Sequence, residues 1–399
     1  MASSTTTSST TTPRQRLRDL VPDIYLGVWP TGPKNSLTDV PGVLVHTQEL
    51  HDDDHGVHTG VTTILPRHNW AESGCYAGIF RFNGAGDLTG SHFVEESGKV
   101  ASPIVLTNTL SVGAAYQGIL EYCVAHHGNR EMGVGFFSVP VVGETFDGYL
   151  NNLAAFAVRS SDVVRGIAEA TDDPVKEGNR GGGTGMISLG HKGGTGSSSR
   201  IVEGAADGTK YTVAALVQAN FGSLRNLHIA GVPYGRIVAA ERAAAAKPPP
   251  EADKAKEERD GSIIIIIATD APLHPRQCER LAKRATVGLS RVGGYGQNPS
   301  GDIFLAFSTA NHVPVQKFNE AGKDVPPVID PFKPLVHGVD VVNDESINGL
   351  FEAAADATEE AIYNALCMAE TLTGFHGHKI EALDLDKLKA VLDKHLVKV

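Results

Sequence analysis

The hydrophobic pattern of this chain changes period several times, and each change marks an element. Between residues 37 and 66, short β-rich runs at 43–45 and 61–65 alternate with turn residues such as Pro41-Gly42, which predicts strands in a sheet. Residues 111–127 space Val112, Ala115, Ile119, Tyr122 and Cys123 at helical intervals and are followed by Gly128, which predicts an amphipathic helix. A second helix is expected over 161–170, opened by Ser161-Asp162 and stopped by Asp172-Asp173-Pro174. Residues 211–220 are an apolar β-type run ending on the polar Asn220. The clearest signal is the run of isoleucines at 263–267: β-branched residues without polar alternation mean a strand covered on both faces, at the centre of a layered fold. Beyond it, a helix over 275–290, a strand over 302–307, a long helix over 346–370 and a last helix over 385–396 complete a layered α/β pattern without internal repeat.

Three stretches interrupt this pattern. Residues 1–19, dominated by Ser and Thr, read as a disordered tail; they carry no apolar core of a secretory signal and no amphipathic pattern of a transit peptide. The glycine-dense segment 178–200 requires unusual backbone angles or close approach of another chain or ligand. Residues 243–260, with three prolines in a row and dense charge, read as an exposed, flexible linker.

Composition then removes whole classes of function. With 35 Lys+Arg against 46 Asp+Glu the formal charge is −11, so no net positive field attracts nucleic acid. No apolar stretch approaches the roughly 18–20 residues that span a bilayer, so no membrane association is expected. Cys75, Cys123, Cys278 and Cys367 lie far apart without a CxxC pair, which fits a reducing compartment, the cytoplasm by default, and neither a disulfide frame nor a zinc site. GxSxG, HExxH and GxxxxGK[ST] signatures are absent; after Gly185 and Gly190 comes His191-Lys192 where a phosphate loop needs Lys followed by Ser or Thr. His51, Asp52, Asp53, Asp54, His55 and His58 resemble metal ligands in type, but without a helical i, i+4 framework they read as a solvated polar loop, and His376 with His378 is an equally weak signal. No metal and no organic cofactor is expected.

The remaining candidate chemistry is Gly261-Ser262, where the charged linker passes into the buried strand within two residues. Cleavage between them would give Ser262 both a hydroxyl and an α-amine. Such an amine titrates near about 7.7–8.0 against about 10.4 for lysine, so one residue would supply nucleophile and base. Glycine permits the strained backbone that attack on its own carbonyl needs. Equally, Gly-Ser could be no more than the turn into a strand.

Several blocks in order carry a resemblance. Gly261-Ser262 with its apolar strand, and 298–311 (NPSGDIFLAFSTAN) some forty residues on, resemble the DmpA family of L-aminopeptidase/D-esterases and β-peptidyl aminopeptidases. So do 38–43 (TDVPGV), 59–62 (TGVT), 106–109 (LTNT), 111–113 (SVG), 144–151 (ETFDGYLN), 181–186 (GGGTGM) and 216–222 (LVQANFG). The resemblance implies a single domain over 20–399 with a four-layer αββα sandwich, self-cleaved into an α-chain 1–261 and a β-chain 262–399. It implies Ser262 as nucleophile, Ser300 and Asp302 orienting its amine, Asn220 as oxyanion donor and Tyr149 lining the site and donating to the tetrahedral intermediate. A substrate with an N-terminal ammonium needs a carboxylate, and Glu144 and Asp147 both remain candidates. Implied substrates are small peptides, amino-acid amides or esters with a free amino terminus; processed heterodimers are expected to form a homo-oligomer. Two alternatives stand beside this: an acyltransferase like ornithine acetyltransferase, against which a serine nucleophile counts, and an unprocessed, non-catalytic scaffold.

Overall fold

The computed structural model describes residues 12–128, 135–245, 247, 261–316 and 332–397. Along the chain the strands are β1 (Leu44–Asp52), β2 (Val57–Leu65), β3 (Ser73–Gly84), β4 (Lys99–Val100), β5 (Ile104–Asn108), β6 (Val141–Thr145), β7 (Ile187–Ser188), β8 (His191–Lys192), β9 (Gly194–Glu203), β10 (Lys210–Ala219), β11 (Ile263–Thr269) and β12 (Gly301–Pro314). They form a four-stranded sheet ordered β1-β2-β5-β6 and a six-stranded sheet ordered β4-β3-β12-β11-β10-β9, with β7-β8 a separate hairpin. Helices α1 (Val112–His127) and α2 (Ser160–Ala168) cover the outer face of the small sheet, and α3 (Pro275–Val292) and α4 (Asn348–Met368) that of the large one. The architecture is the expected helix-sheet-sheet-helix sandwich.

Strand β11 shows why five isoleucines stand in a row. Ile264 and Ile266 enter the core between the sheets with Ile64, Leu106 and Val141, while Ile263, Ile265 and Ile267 enter the core under α3 and α4 with Leu281, Ala285, Ala357 and Ala361. All seven residues of the strand are buried, so its sequence has no position for a polar side chain to face water. β11 pairs antiparallel with β10 and parallel with β12, the parallel connection running through α3.

Part of the glycine-dense segment is strand rather than loop. β9 lies beneath α4, where a Cβ at Gly196 would stand 2.0 Å from the Ala361 carbonyl oxygen. Small residues on both elements let them approach, which is why no hydrophobic alternation marks β9. Strands β3, β5 and β6 and the helix Tyr234–Ala244 were likewise not signalled; β5 and β6 are short and buried throughout, so period alone does not separate them from other apolar runs.

Two further expectations are corrected. From residue 12 the tail expected to be disordered over 1–19 is packed: Leu17 and Leu20 are buried in a short helix, Arg16 Nε lies 2.6 Å from Glu177, and Arg18 Nε 2.9 Å from Glu360. Two leucines i, i+3, two ion-pairing arginines and Arg14, which donates to the Leu383 and Leu366 carbonyls, outweigh the polar lead-in; residues 1–11 lie outside the described residues. The His/Asp cluster is not a solvated loop throughout. His51 lies one residue before the end of β1 and His58 lies on β2, buried, with the two Nδ1 atoms 3.3 Å apart, because the β1-β2 pairing sets them opposite each other. Of the expected linker 243–260, residues 243–245 end the helix Tyr234–Ala244, and 246 and 248–260 lie outside the described residues. Among the described residues no helix is long and apolar enough to cross a membrane.

Glu360 of α4 also pairs with Arg200 of β9 at 2.7 Å, and neither side chain is accessible to solvent. Removing one partner strands a buried charge, so Glu360→Gln is expected to lower stability by about 3 kcal/mol in urea unfolding; a variant as stable as the parent would mean the pair contributes nothing.

Candidate active site

Strand register assembles the site. β10 ends and β11 and β12 begin at one edge of the large sheet, where Ala219 pairs with Ile263 and Ile263 with Asp302. This sets Asn220 on one side of Ser262 and Ser300 to Asp302 on the other. β3 ends at the same edge, with Gly84 opposite Gly301. On the facing sheet the parallel strands β5 and β6 end nearby, Thr107 paired with Glu144.

The Gly261-Ser262 link is held along its length. Gly301 N–H donates to Ser262 Oγ at 2.9 Å, Asn220 N–H donates to the Ser262 carbonyl at 3.0 Å, and Ser300 Oγ lies 2.5 Å from the Gly261 carbonyl oxygen. The same Ser300 oxygen is 2.7 Å from Asp302 Oδ1, and Ile263 N–H donates to that carboxylate oxygen at 3.2 Å. A hydroxyl has one hydrogen, so Ser300 can donate to the Gly261 carbonyl or to Asp302 but not to both at once. Ser262 is only 6% exposed, which keeps this exchange away from bulk water.

Asn220 is oriented by two contacts: its Oδ1 accepts from Ile187 N–H at 2.9 Å and its Nδ2 donates to the Phe146 carbonyl at 2.8 Å. The pair of contacts decides which end of the amide is nitrogen. Ile187 belongs to the β7-β8 hairpin, so the glycine-dense segment reaches the site here; a Cβ at Gly193 would stand 2.4 Å from the Ala219 carbonyl oxygen. Lys192 in that hairpin is fully buried, with Nζ 2.8 Å from the Gly193 carbonyl and 3.2 Å from that of Gly183, and burial pulls its pKa down to about 7. It braces backbone rather than facing a phosphate.

The two acidic candidates separate by position. Glu144 Oε1 accepts from Asp87 N–H at 3.0 Å and Oε2 accepts from the Thr109 hydroxyl. A Cβ at Gly86 would stand 3.4 Å from Glu144 Oε1 and 3.0 Å from the Cα of Gly301, whose N–H touches the serine, so this carboxylate lies on the Ser262 side of the cleft. Burial raises the Glu144 pKa. Asp147 accepts from Thr59 Oγ1 at 2.6 Å and Asn151 Nδ2 at 3.0 Å, and its Cβ would be 2.9 Å from a Cβ at Gly185; burial raises its pKa to about 7. Asp147 is thus a member of an internal network. Tyr149, half-buried, follows on the same turn and stacks on His378 with ring centroids 4.1 Å apart.

Sequence reasoning missed the backbone donors of Gly301, Asp87 and Ile187, which no side chain announces, and the Thr109 hydroxyl. A signal for Gly301 existed only in space: a Cβ there would stand 2.5 Å from Gly86 Cα, so two backbones cross beside Ser262. Among the described residues no group of His, Cys, Asp and Glu could hold a metal ion.

Comparison with known proteins agrees with this geometry. The profile of peptidase family S58 matches residues 35–380. The beta-peptidyl aminopeptidase BapA of Sphingosinicella microcystinivorans is 40% identical over 374 residues, covering 91% of this chain and 89% of that one. Among solved structures, a Burkholderia sp. beta-aminopeptidase is 40% identical with TM-score 0.81, covering 96% of this chain and all of the other. The L-aminopeptidase D-Ala-esterase/amidase of Ochrobactrum anthropi, described as a prototype for the serine aminopeptidases and a variant of the Ntn hydrolase fold, is 37% identical with TM-score 0.80, covering 97% of this chain and all of the other. With a serine gripped at the head of a buried strand and likeness along nearly its whole length, the chain belongs to peptidase family S58 and is a serine aminopeptidase.

Proposed function

We propose that this aminopeptidase makes its own catalytic group by breaking the Gly261-Ser262 bond, and that the new N-terminal serine then releases N-terminal residues from small peptides, amino-acid amides and esters. The observation that carries this is the grip on that one peptide: a donor on the Gly261 carbonyl and another on Ser262 Oγ. Ser262 Oγ attacks the Gly261 carbonyl carbon while Ser300 donates to the developing oxyanion. The C–N bond breaks, the nitrogen leaves with a proton as the α-amine of Ser262, and water hydrolyses the resulting ester to a Gly261 carboxylate. Ser300 Oγ and Asp302 Oδ1, having lost the Gly261 carbonyl, then orient the amine.

In turnover that amine takes the Ser262 hydroxyl proton and the alkoxide attacks the substrate carbonyl. Asn220 Nδ2, its direction set by Ile187 and Phe146, and Tyr149 donate to the tetrahedral intermediate, a role typically worth a few kcal/mol of barrier per donor. The leaving group takes the proton from the amine, and water resolves the acyl-enzyme. Glu144 receives the substrate ammonium; its place beside Gly86 and Gly301 supports it over Asp147, which scaffolds the turn. Beta-peptidyl substrates, named for the relatives, belong in the same screen.

The four cysteines, all buried thiols outside any disulfide, support a reducing compartment, which we take to be the cytoplasm. Exposed Phe332, Leu335 and Val336 support further assembly of the processed protein into a homo-oligomer.

Glu144→Gln is expected to lower kcat/KM on aminoacyl p-nitroanilides by roughly 10²-fold, mainly through KM, because an ion pair to the substrate is lost. N-acetylated substrates should be inert with the parent enzyme; turnover of a blocked substrate at a comparable rate would contradict the assignment. The acid limbs should differ. Because the amine must be neutral to act as base, kcat should rise with pH and fall about tenfold per unit below the amine's titration near about pH 7.7–8.0. Glu144, raised by burial, loses its charge as pH falls through its pKa, so KM should climb further at acid pH, and this second effect should vanish in Glu144→Gln.

A further inference from the structure

Tyr149 is held from outside its own turn. His378 Nδ1 lies 2.9 Å from the Tyr149 carbonyl oxygen, and its ring lies on the Tyr149 phenol with centroids 4.1 Å and planes 12° apart. A carbonyl only accepts, so Nδ1 carries the hydrogen and the imidazole plane is fixed by that bond. One side chain therefore touches both the backbone and the ring of the same residue.

The element that delivers His378 is built to dock here. It is the hairpin of β13 (Leu372–Thr373) and β14 (Lys379–Ile380). Phe375 N–H donates to the Leu150 carbonyl at 2.8 Å, and a Cβ at Gly374 would stand 2.2 Å from that same oxygen, so the approach requires glycine. Ile380 packs with Leu150 and Ile187 in a small buried cluster against which Tyr149 lies, and the Ile187 N–H is the group that orients Asn220. Hairpin, tyrosine and oxyanion amide thus share one support.

We propose that His378 is a positioning residue for Tyr149: the imidazole, locked by its bond to the Tyr149 carbonyl, sets the plane of the phenol and hence the direction of its hydroxyl. The inference rests on the reading of Tyr149 as a donor to the tetrahedral intermediate. A half-buried phenol without such a partner samples other rotamers, and misplacement of a donor by ~1 Å can cost on the order of 10²-fold in rate. The clamp also joins the two pieces of the processed protein, since Tyr149 lies in 1–261 and His378 in 262–399.

The test is steady-state kinetics of the processed enzyme on an aminoacyl p-nitroanilide, with His378→Ala, Tyr149→Phe and the double variant, and His378→Phe and His378→Gln as partial replacements. His378→Ala should lower kcat roughly tenfold with KM changed less than about twofold. The double variant should be no slower than Tyr149→Phe alone, because the hydroxyl being positioned is already gone. His378→Phe, which keeps a ring on the phenol but cannot donate to the Tyr149 carbonyl, should recover only part of the lost kcat, and His378→Gln, which keeps no ring, should recover less. Losses that multiply in the double variant, or that track a fall in melting temperature across the series, would make His378 a structural residue and overturn the proposal. Wild-type kcat in His378→Ala beside an impaired Tyr149→Phe would remove the clamp alone; wild-type kcat in Tyr149→Phe would instead overturn the reading of Tyr149 and the clamp with it.

Discussion

Everything at this site depends on β11 having no freedom to move. The strand is hydrogen-bonded on both edges, to β10 and β12, and buried on both faces, between the inter-sheet core and the core under α3 and α4. Shifting it by one residue would exchange the two sets of isoleucines and break both ladders at once. Ser262 immediately precedes this strand, so the rigidity of the centre is transferred to the serine at its edge. The position of that serine is inherited from packing.

The same register supplies the partners. Because β11 and β12 run parallel, their first residues stand side by side, and the dipeptide Ser300-Gly301 falls next to Gly261-Ser262. Because β10 runs the other way, its last residue is followed by Asn220 beside Ser262. The facing sheet contributes Glu144 through another parallel pair, β5 and β6. Hydrogen-bond donors come from the large sheet and a buried carboxylate from the small one, so both layers of the sandwich border Ser262. Burial raises the pKa of Glu144, so in the proposed role an approaching ammonium restores the advantage of its charged form.

Much of this was legible in the residues. Five isoleucines without polar alternation have one structural explanation, a strand covered on both faces, and a Gly-Ser step at its head is where two chemistries could meet. Asn220, a polar residue closing an apolar strand, needed partners for its amide and finds them in Ile187 and Phe146. What could not be read depends on space rather than period. Glu144 and Asp147 are three residues apart and equally acidic, and only the crossing of Gly86 with Gly301 distinguishes them. The first six residues of β9 are small, Gly196 among them lying against α4, so that half carries no alternation. Leu17 and Leu20 are too few to mark a packed segment until Glu177 and Glu360 are seen opposite the neighbouring arginines. His378 read only as a weak metal-ligand signal beside His376 because the ring it stacks on lies 229 residues away.

The central claim is that Ser262 becomes an N-terminus by its own action. Intact mass and N-terminal sequencing of the purified protein, beside Ser262→Ala, test it most directly. The account requires two chains, the smaller beginning Ser-Ile-Ile, in the parent protein and one uncut chain in the variant. A parent chain that stays whole on long incubation while still releasing N-terminal residues, or a variant cut at the same bond, would contradict it.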